Sequence, residues 1–521
     1  MPGHRKIADY LFYTGLFGLA AAIPVSKAAT SVGMFLMAIA WFVQWNWKEK
    51  IIVFKTNWKP IIFSAVLFLI FVLGLLHSEN LTYGLKDLRI KAPIFILPVL
   101  FGVSFTIKRG HILIVLSLMA ASAIVATIIG FVNYQINLDA DQVVNLRSLS
   151  PYISLIRLSL ILTMAYGIAL WGLVKITSYW KWMLLLPIGW IIFFFSFSES
   201  LTGLVFLPLV SLYFIIYLLK GFKRIAITVL LSFGILSVYF LREVYTISKM
   251  VFAEHILQEE ERTLSGGRYT FNDNGGKENG YYVHRHVCHE ELRKEWNKRS
   301  SVPYSSTQDK FQFNAKILRY LSSRGLKKDS VGISQLNNEE ITAIEQGVTN
   351  AYYLKANPIS KRIHQLFWEI DEAIRRGRYK GNSVTSRFIY SSTGIQVWKD
   401  HFFIGVGTGD VKDEMIKKYQ LRPNYHEELF QKKSHNQYIT IGVSIGVIGL
   451  LIFLSIYSYL FINYNGSLKY LFWLTQGIFI FSMLWEDTIE TQAGVAIFAL
   501  WLNLFLFEQK DSIMFTNIHK N

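Results

Sequence analysis

The stretch KKSHNQYITIGVSIGVIGLLIFLSIYSYLFI, residues 432–462, turns from polar to apolar within a few residues and stays apolar to its end. An apolar run of roughly 17–25 residues predicts a helix that crosses a membrane. The segment before it, 242–435, is polar and too long for a simple connecting loop, so it should carry its own structure. We therefore predict a membrane-spanning helix that begins directly after a folded polar domain.

Comparable apolar stretches recur along the chain of 521 residues. The composition agrees with a membrane protein, because 52% of the residues are hydrophobic and only 17% are charged, whereas soluble globular proteins have about 25% charged residues. The predicted fold class is an all-α polytopic membrane protein with about twelve spans. We predict these spans at 8–24, 30–46, 60–77, 91–107, 111–133, 151–174, 182–198, 201–219, 224–241, 436–462, 469–486 and 490–507.

The basic residues predict the orientation of these spans. With a cytoplasmic N-terminus, the short inner loops hold fourteen Lys and Arg residues and the short outer loops hold six. The positive-inside rule favours that arrangement, with both termini in the cytoplasm. The predicted domains are 1–241 with spans one to nine, 242–435 as an extracytoplasmic domain, 436–507 with spans ten to twelve, and 508–521 as a cytoplasmic tail.

The net charge is +17, and many of the basic residues lie in short loops between apolar stretches, where they set the topology. No nucleic-acid binding is therefore expected. The single Cys288 excludes an internal disulfide framework. The N-terminus shows no convincing small-residue cleavage site, so no cleaved signal peptide is expected.

The polar domain has the composition of a mainly helical structure. Helices are predicted at 289–300, at 337–348 with Asn337 or Asn338 as the cap, and at 360–377. The Gly- and Asn-rich segment 264–282 is predicted to be a loop.

The residues most suited to chemistry lie at the junction between the polar domain and the tenth span. Ser434 is predicted to cap that helix, which puts His435 in its first turn at the membrane surface. A helix N-terminus suits a phosphate, and histidine suits general-base catalysis near neutral pH. The alternative, an interfacial polar residue without a catalytic role, stays open and is favoured by position alone.

Three further groups are candidates, each with a plainer alternative. Arg387 has the planar fork that binds phosphate oxygens in pairs, or is a solvated surface residue. Arg157, seven residues into a predicted span, either reaches the outer interface or faces a polar cavity. Glu486, Asp487 and Glu490, in WEDTIETQAG, either pair with the arginines or bind a cation, or form an ordinary polar turn. The Gly-rich turn GVGTGDV (405–411) lacks the strand-and-helix context of a nucleotide-binding loop.

Several of these motifs resemble the family of O-antigen ligases and polymerases. The resemblance rests on the His-Asn-x-Tyr step at 435–438 followed by GVIGLL, and on the order Arg387, GVGTGD, His435. The phrases ENGYYVHRHVCHEELRKEWNKRS, RYLSSRGLKKDSVGISQLNNEEITAIEQGVTN and WEDTIETQAGV are similar to the branch of that family found in Bacteroidetes. The resemblance is clearest over about residues 150–507.

The resemblance implies glycan transfer at the outer face of a bacterial inner membrane, without cofactor or metal. The implied donor is a glycan on undecaprenyl pyrophosphate, and the implied acceptor is a hydroxyl of lipid A-core, of another glycan or of a protein. His435 would be the general base and Arg387 would hold the donor pyrophosphate. Supporting roles fall to Asn436, Tyr438, Glu486 and Glu490.

One departure from the family concerns the start of the span at SLTG. Many relatives carry an Arg after the Ser at this place, whereas this chain has Leu201 after Ser200. Arg157, from a neighbouring span, is the candidate to supply the missing charge to the pyrophosphate.

Two alternatives to O-antigen ligation remain at this stage. Within the family, the chain is alternatively a polysaccharide polymerase or a protein O-oligosaccharyltransferase. From another class, it is a transporter or flippase for an anionic substrate, which twelve spans would suit, although the spans lack charges near their centres and no pair of broken helices is evident.

Overall fold

The computed structural model describes residues 2–139, 146–219, 223–305, 307–308, 311–376, 383–422 and 431–508. The chain forms two compact units. We call them the membrane unit, which comprises Met1–Thr228 and Ile389–Asn521, and the inserted unit, Val229–Phe388. The predicted cytoplasmic tail, 508–521, lies outside the described residues except for Glu508.

Most helices in the first half of the chain are long and apolar, and the last of them runs from the membrane unit into the inserted unit. They are α1 (Pro2–Ala22), α2 (Lys27–Val43), α3 (Trp47–Leu75), α4 (Leu81–Lys91), α5 (Pro93–Val103), α6 (Arg109–Asp139), α7 (Leu155–Lys175), α8 (Leu185–Phe197), α9 (Leu201–Leu219) and α10 (Lys223–Phe252). Short 3₁₀ turns lie at Leu146–Leu149 and Tyr179–Leu184.

The inserted unit is mainly helical, with three small antiparallel hairpins. Its helices are α11 (His289–Arg299), α12 (Phe313–Ser323), α13 (Ser330–Ser334), α14 (Asn338–Glu345), α15 (Tyr352–Lys355) and α16 (Pro358–Arg376), with a 3₁₀ turn at Asp273–Gly275. Its strands pair as β1 (Thr270–Phe271) with β4 (Arg285–Val287), β2 (Lys277–Glu278) with β3 (Tyr281–Tyr282), and β5 (Thr307–Gln308) with β6 (Phe311–Gln312).

After α16 the chain returns to the membrane unit through α17 (Ser383–Asp400). The remaining elements are α18 (Val411–Gln420), α19 (Gln437–Ile462), α20 (Lys469–Ser482), a 3₁₀ turn at Thr488–Glu490, and α21 (Gln492–Leu506). Helix α21 is buried along nearly its whole length and lies in the apolar core of this unit.

The structure confirms the helical polytopic class but not the count of twelve spans. Among the described residues, seven helical segments are long and apolar enough to cross a membrane: Trp47–Leu75, Arg109–Leu138, Leu155–Lys175, Tyr179–Phe197, Leu201–Leu219, Leu230–Phe252 and Gln437–Ile462. Helices α2, α5, α20 and α21, at four other predicted spans, have only 17, 11, 14 and 15 residues. The fourth predicted span, 91–107, is shortened at both ends because α5 begins at Pro93 and ends at Val103.

The predicted helices of the polar domain are confirmed. Asn337 caps α14 in a capping box: the Asn337 side chain accepts from Glu340 N–H, and the Glu340 carboxylate accepts from Asn337 N–H. Helix α16 begins at Pro358 rather than Ser360, because proline is well suited to a first helical position, and its predicted end at Gly377 lies outside the described residues. The predicted loop 264–282 contains β1, β2 and β3.

Helix α19 is broken in its middle, at Ile445 and Gly446. Gly446 has φ 68° and ψ −175°, a conformation open essentially to glycine alone. A Cβ there would lie 2.1 Å from the carbonyl oxygen of Phe403. The turn after α17 makes the hydrogen bonds that the break leaves open: Val406 N–H to Val443 O (2.8 Å), Gly407 N–H to Ser444 O (2.9 Å) and Val447 N–H to Phe402 O (2.8 Å). Backbone satisfaction of this kind is what a broken helix at membrane depth requires.

Candidate active site

The junction before α19 is organised by Asn436 rather than by Ser434. The Oδ1 atom of Asn436 accepts a hydrogen bond from Ile439 N–H at 3.1 Å, and its Nδ2 donates to Leu484 O at 2.7 Å. The predicted cap at Ser434 is therefore wrong, since Ser434 Oγ lies 2.7 Å from Thr440 Oγ1 and accepts from Asn436 N–H instead. His435 consequently precedes the helix and does not belong to its first turn.

His435 has a left-handed backbone, with φ 51°. For a residue other than glycine this conformation costs of order 1–3 kcal/mol and persists only where surrounding bonds hold it. One such bond is present, because His435 N–H donates to Asp487 Oδ2 at 3.0 Å. The imidazole packs on the ring of Tyr390, at 5.2 Å between centroids, and a quarter of the side chain (25%) is exposed. A substrate can therefore reach it.

Two neighbouring carboxylates serve different parts of His435. Glu486 faces the ring, with Oε2 3.8 Å from His435 Nδ1, whereas Asp487 binds the backbone. Asp487 Oδ1 also accepts from Thr440 Oγ1 at 2.7 Å. Burial raises the pKa of Asp487, and the charge of Glu490 raises it further.

Arg157 lies on the other side of Glu486, with Nη2 3.5 Å from Glu486 Oε1. It belongs to the first turn of α7, which begins at Leu155 rather than at 151, and its Nη1 donates to the cap residue Ser154 at 2.9 Å. Of the roles considered for the turn carboxylates, pairing with an arginine is the one in which Glu486 is seen.

Arg157 also lines a cavity of about 350 Å³. The polar residues around it include Lys27, Tyr152, Ser154, Thr491 and Gln492. Three helices begin at this cavity, because Lys27 opens α2, Ser154 caps α7 and Thr491 caps α21. Helix N-termini and basic side chains together favour an anionic ligand.

The start of α9 is where the family resemblance would place an Arg. Leu201 begins α9, and the preceding Ser200 lies 2.7 Å from Ser159 through their hydroxyl oxygens. Ser159 follows Arg157 by two residues on α7, and side chains two apart on a helix do not face the same side. The start of α9 therefore adjoins a different face of α7 from the one that carries Arg157, and the role of Arg157 as the replacement charge stays a prediction.

A second cluster of charges lies beside the junction and consists of Asp87, Lys91, Lys433 and Glu490. Lys91 Nζ lies 2.5 Å from Asp87 Oδ2 and 2.8 Å from Glu490 Oε2. Lys433 Nζ lies 3.1 Å from Asp87 Oδ1 and 2.5 Å from Glu490 Oε2. Burial favours a raised pKa for Glu490, but the ammonium groups of Lys433 and Lys91 outweigh it and hold the pKa well below its usual value. The cluster thus pairs two lysines with two carboxylates, so its formal charges balance.

Sequence patterns did not predict this cluster: of its four residues, only Glu490 was a candidate for the site. One local signal was available, since Asp87 and Lys91 have the i,i+4 spacing of a helical ion pair.

The remaining predicted residues have simpler surroundings. Tyr438 donates from its hydroxyl to Ile480 O at 3.0 Å, which ties α19 to α20. Arg387 is half-buried on α17 and belongs to the inserted unit, so its role at the donor stays a prediction.

The turn GVGTGD is not built to bind a nucleotide. Its backbone N–H groups are bonded within the membrane unit: Gly405 to His401 O, Val406 to Val443 O, Gly407 to Ser444 O, Thr408 to Gly74 O, Gly409 to Ser78 Oγ and Asp410 to Gly407 O. A phosphate-binding loop needs such groups unbonded. The bonded backbone therefore supports the interpretation that this turn is not a nucleotide-binding loop.

Comparison with known proteins identifies one family. Residues 342–454 match the family model described as O-antigen ligase. The match includes Arg387, the GVGTGD turn and His435, which carry the resemblance found in the sequence. A search of curated proteins finds no match.

Proposed function

We propose, because residues 342–454 match the O-antigen ligase family model, that this membrane protein transfers a glycan from undecaprenyl pyrophosphate to a hydroxyl of lipid A-core. The reaction takes place at the periplasmic face of the bacterial inner membrane. The domain predicted at 242–435 is expected on the same side. The observation that carries the proposal is a partly exposed His435 whose Nδ1 faces Glu486 at 3.8 Å.

In the proposed step, His435 is the general base. A proton on Nδ1 points toward Glu486, which leaves Nε2 to accept the proton of the acceptor hydroxyl. The acceptor oxygen forms a bond to the anomeric carbon of the donor, the bond from that carbon to the pyrophosphate oxygen breaks, and undecaprenyl pyrophosphate leaves with the electron pair. Glu486 stabilises the imidazolium that results.

The leaving pyrophosphate gains negative charge and needs cations near it. Arg387, which belongs to the inserted unit, keeps its predicted role at the donor, where its planar fork suits phosphate oxygens. Within the membrane unit, the cavity beside Arg157 and Lys27 is proposed to receive a donor phosphate. The cavity and the three helix N-termini around it support this assignment. The family match favours glycan transfer over the alternative of a transporter or flippase.

The proposal is tested with His435→Ala in purified protein with a lipid-linked glycan donor. We expect the transfer rate to fall about 10²–10⁴-fold, the usual contribution of a general base, with donor binding retained. His401→Ala is the matched control, because His401 is an exposed histidine in the same matched segment. Transfer by His435→Ala at the wild-type rate would contradict the proposal.

The acceptor is tested by deletion in cells. A ligase leaves lipid A-core bare while polymer accumulates on the carrier. Lipid A-core that carries a single repeat unit would instead identify a polymerase, and unglycosylated protein would identify a protein O-oligosaccharyltransferase.

A further inference from the structure

The left-handed backbone of His435 needs bonds on both sides to hold it. On the C-terminal side, Asn436 caps α19 and donates to Leu484 O. On the N-terminal side, Ser391 Oγ donates to Ser434 O at 2.9 Å, and Lys433 forms the two ion pairs with Asp87 and Glu490. Lys433 is thus the charged anchor two residues before the proposed base.

We propose that Lys433 is a positioning residue for glycan transfer: through Asp87 and Glu490 it holds the His435 backbone in register with Glu486. The inference rests on the proposed function, because the reaction gives the position of the imidazole its importance. Lys433 itself is not expected to touch substrate.

The cluster is suited to positioning His435 because its charged groups pair with one another and are largely buried. The exposed fractions of its four side chains lie between 1% and 15%. Glu490 Oε1 is also bonded, since Gln437 Nε2 donates to it at 3.0 Å. A buried ion pair with further hydrogen bonds has a defined geometry, and removal of one partner leaves an uncompensated charge.

The cluster also connects His435 with its carboxylates. Glu490 lies in the turn that carries Glu486 and Asp487, and Gln437 accepts from Ile489 N–H in that turn at 2.9 Å. Lys433 therefore ties the segment that carries the base to the turn that orients it. A shift of about 1 Å between a catalytic group and its partner costs on the order of 10²-fold in rate.

The test compares Lys433→Met with Lys432→Met, a neighbouring lysine whose side chain is exposed. We expect Lys433→Met to lower kcat about 10–100-fold with the donor KM within about threefold of wild type. Lys432→Met should leave both constants unchanged. Lys433→Arg, which keeps the charge and can reach both carboxylates, should recover most of kcat.

A double variant separates positioning from charge balance. Lys433→Met with Glu490→Gln leaves Asp87 and Lys91 as a neutral pair, so membrane insertion and thermal stability should recover toward wild type. If Lys433 positions His435, kcat stays low in this variant, because the anchor is still missing. Recovery of kcat to wild type, or wild-type kcat in Lys433→Met alone, would overturn the inference.

Hydrogen exchange gives a readout that does not depend on activity. Amides of 434–437 should exchange faster in Lys433→Met than in Lys432→Met. Unchanged exchange there overturns the inference even if transfer is impaired. Conversely, a fully active His435→Ala removes the proposed function, while faster exchange still supports Lys433 as the anchor of this segment.

Discussion

Glu486 Oε2 lies 3.8 Å from His435 Nδ1, and the same carboxylate reaches Arg157 Nη2 at 3.5 Å through its other oxygen. Glu486 therefore lies between a proposed base and a cation that borders a cavity of about 350 Å³. Its charge can orient the imidazole and also fix the guanidinium. Each part of this arrangement leads to a separate prediction.

Glu486→Gln keeps the size of the side chain but removes its charge. We expect kcat to fall on the order of 10²-fold, because the imidazolium formed on proton transfer loses its counter-charge. Steady-state kinetics at saturating donor measure this, and Glu79→Gln, at an exposed glutamate, is the control. Equal rates for the two variants would exclude Glu486 as a partner of the base.

Lys27→Met probes the cavity without disturbing Glu486. We expect the donor KM to rise about 5–10-fold with kcat nearly unchanged, since loss of roughly 1–1.4 kcal/mol of phosphate binding corresponds to that factor. Lys86→Met, at another exposed lysine, should not change KM. A donor KM that Lys27→Met leaves untouched would remove the pyrophosphate from this cavity.

Arg387→Lys keeps the positive charge but loses the planar fork. We expect most activity to be lost through weaker use of the donor, because an ammonium group cannot bind a pyrophosphate in the bidentate way. Arg293→Lys, at an exposed arginine of the inserted unit, is the control for folding. Wild-type kcat/KM in Arg387→Lys would reduce Arg387 to a surface residue.

The inserted unit should lose stability in acid through His364. This side chain is fully buried, with Nε2 2.8 Å from Asn279 Oδ1 and Nδ1 3.0 Å from the hydroxyl oxygen of Tyr353. Burial, with a further contribution from Arg319, lowers the pKa of His364 to about 4.

Between that value and the ordinary pKa of about 6.5, the unfolded chain binds the proton more tightly. Stability therefore falls by up to ~3 kcal/mol as the pH drops through this window. Hydrogen exchange of the intact protein from pH 7 to pH 4 measures the loss. His364→Gln should show less pH dependence, and identical profiles would contradict the assignment.

The periplasmic position of the inserted unit is tested by cysteine labelling. Cys288 is buried, so it is a poor probe and is replaced by serine. In that background we expect Lys294→Cys, at an exposed site of α11, to react with a membrane-impermeant maleimide in cells with a permeabilised outer membrane. Thr177→Cys, in the loop after α7, should not react. The reverse pattern would invert the topology.

Local signals in the sequence predicted the elements well. The cap at Asn337 and the amphipathic pattern of α16 are properties of a few consecutive residues, and both helices form. Span lengths were predicted less well, because hydropathy reports apolar composition and not where a helix begins and ends: the fourth span was placed at 91–107, whereas α5 covers only Pro93–Val103.

The candidate site was predicted only in part, because sequence signals report local features and not contacts between distant residues. His435 was identified because it stands where a polar domain meets a span, and Glu486 because it lies in a short acidic turn. The cap at Ser434 was mistaken, because Ser and Asn are both good caps and only the fold decides which side chain reaches a free N–H.

The sequence by itself determined that the chain is a helical membrane protein, and it singled out His435 directly before an apolar helix. Only the tertiary structure decided which charges meet: Asp87 and Lys433 are 346 residues apart in sequence, and Lys91 and Glu490 are 399 apart. Hydropathy and capping depend on neighbours along the chain. Ion pairing depends on distances of a few ångströms, which are set by how distant helices pack.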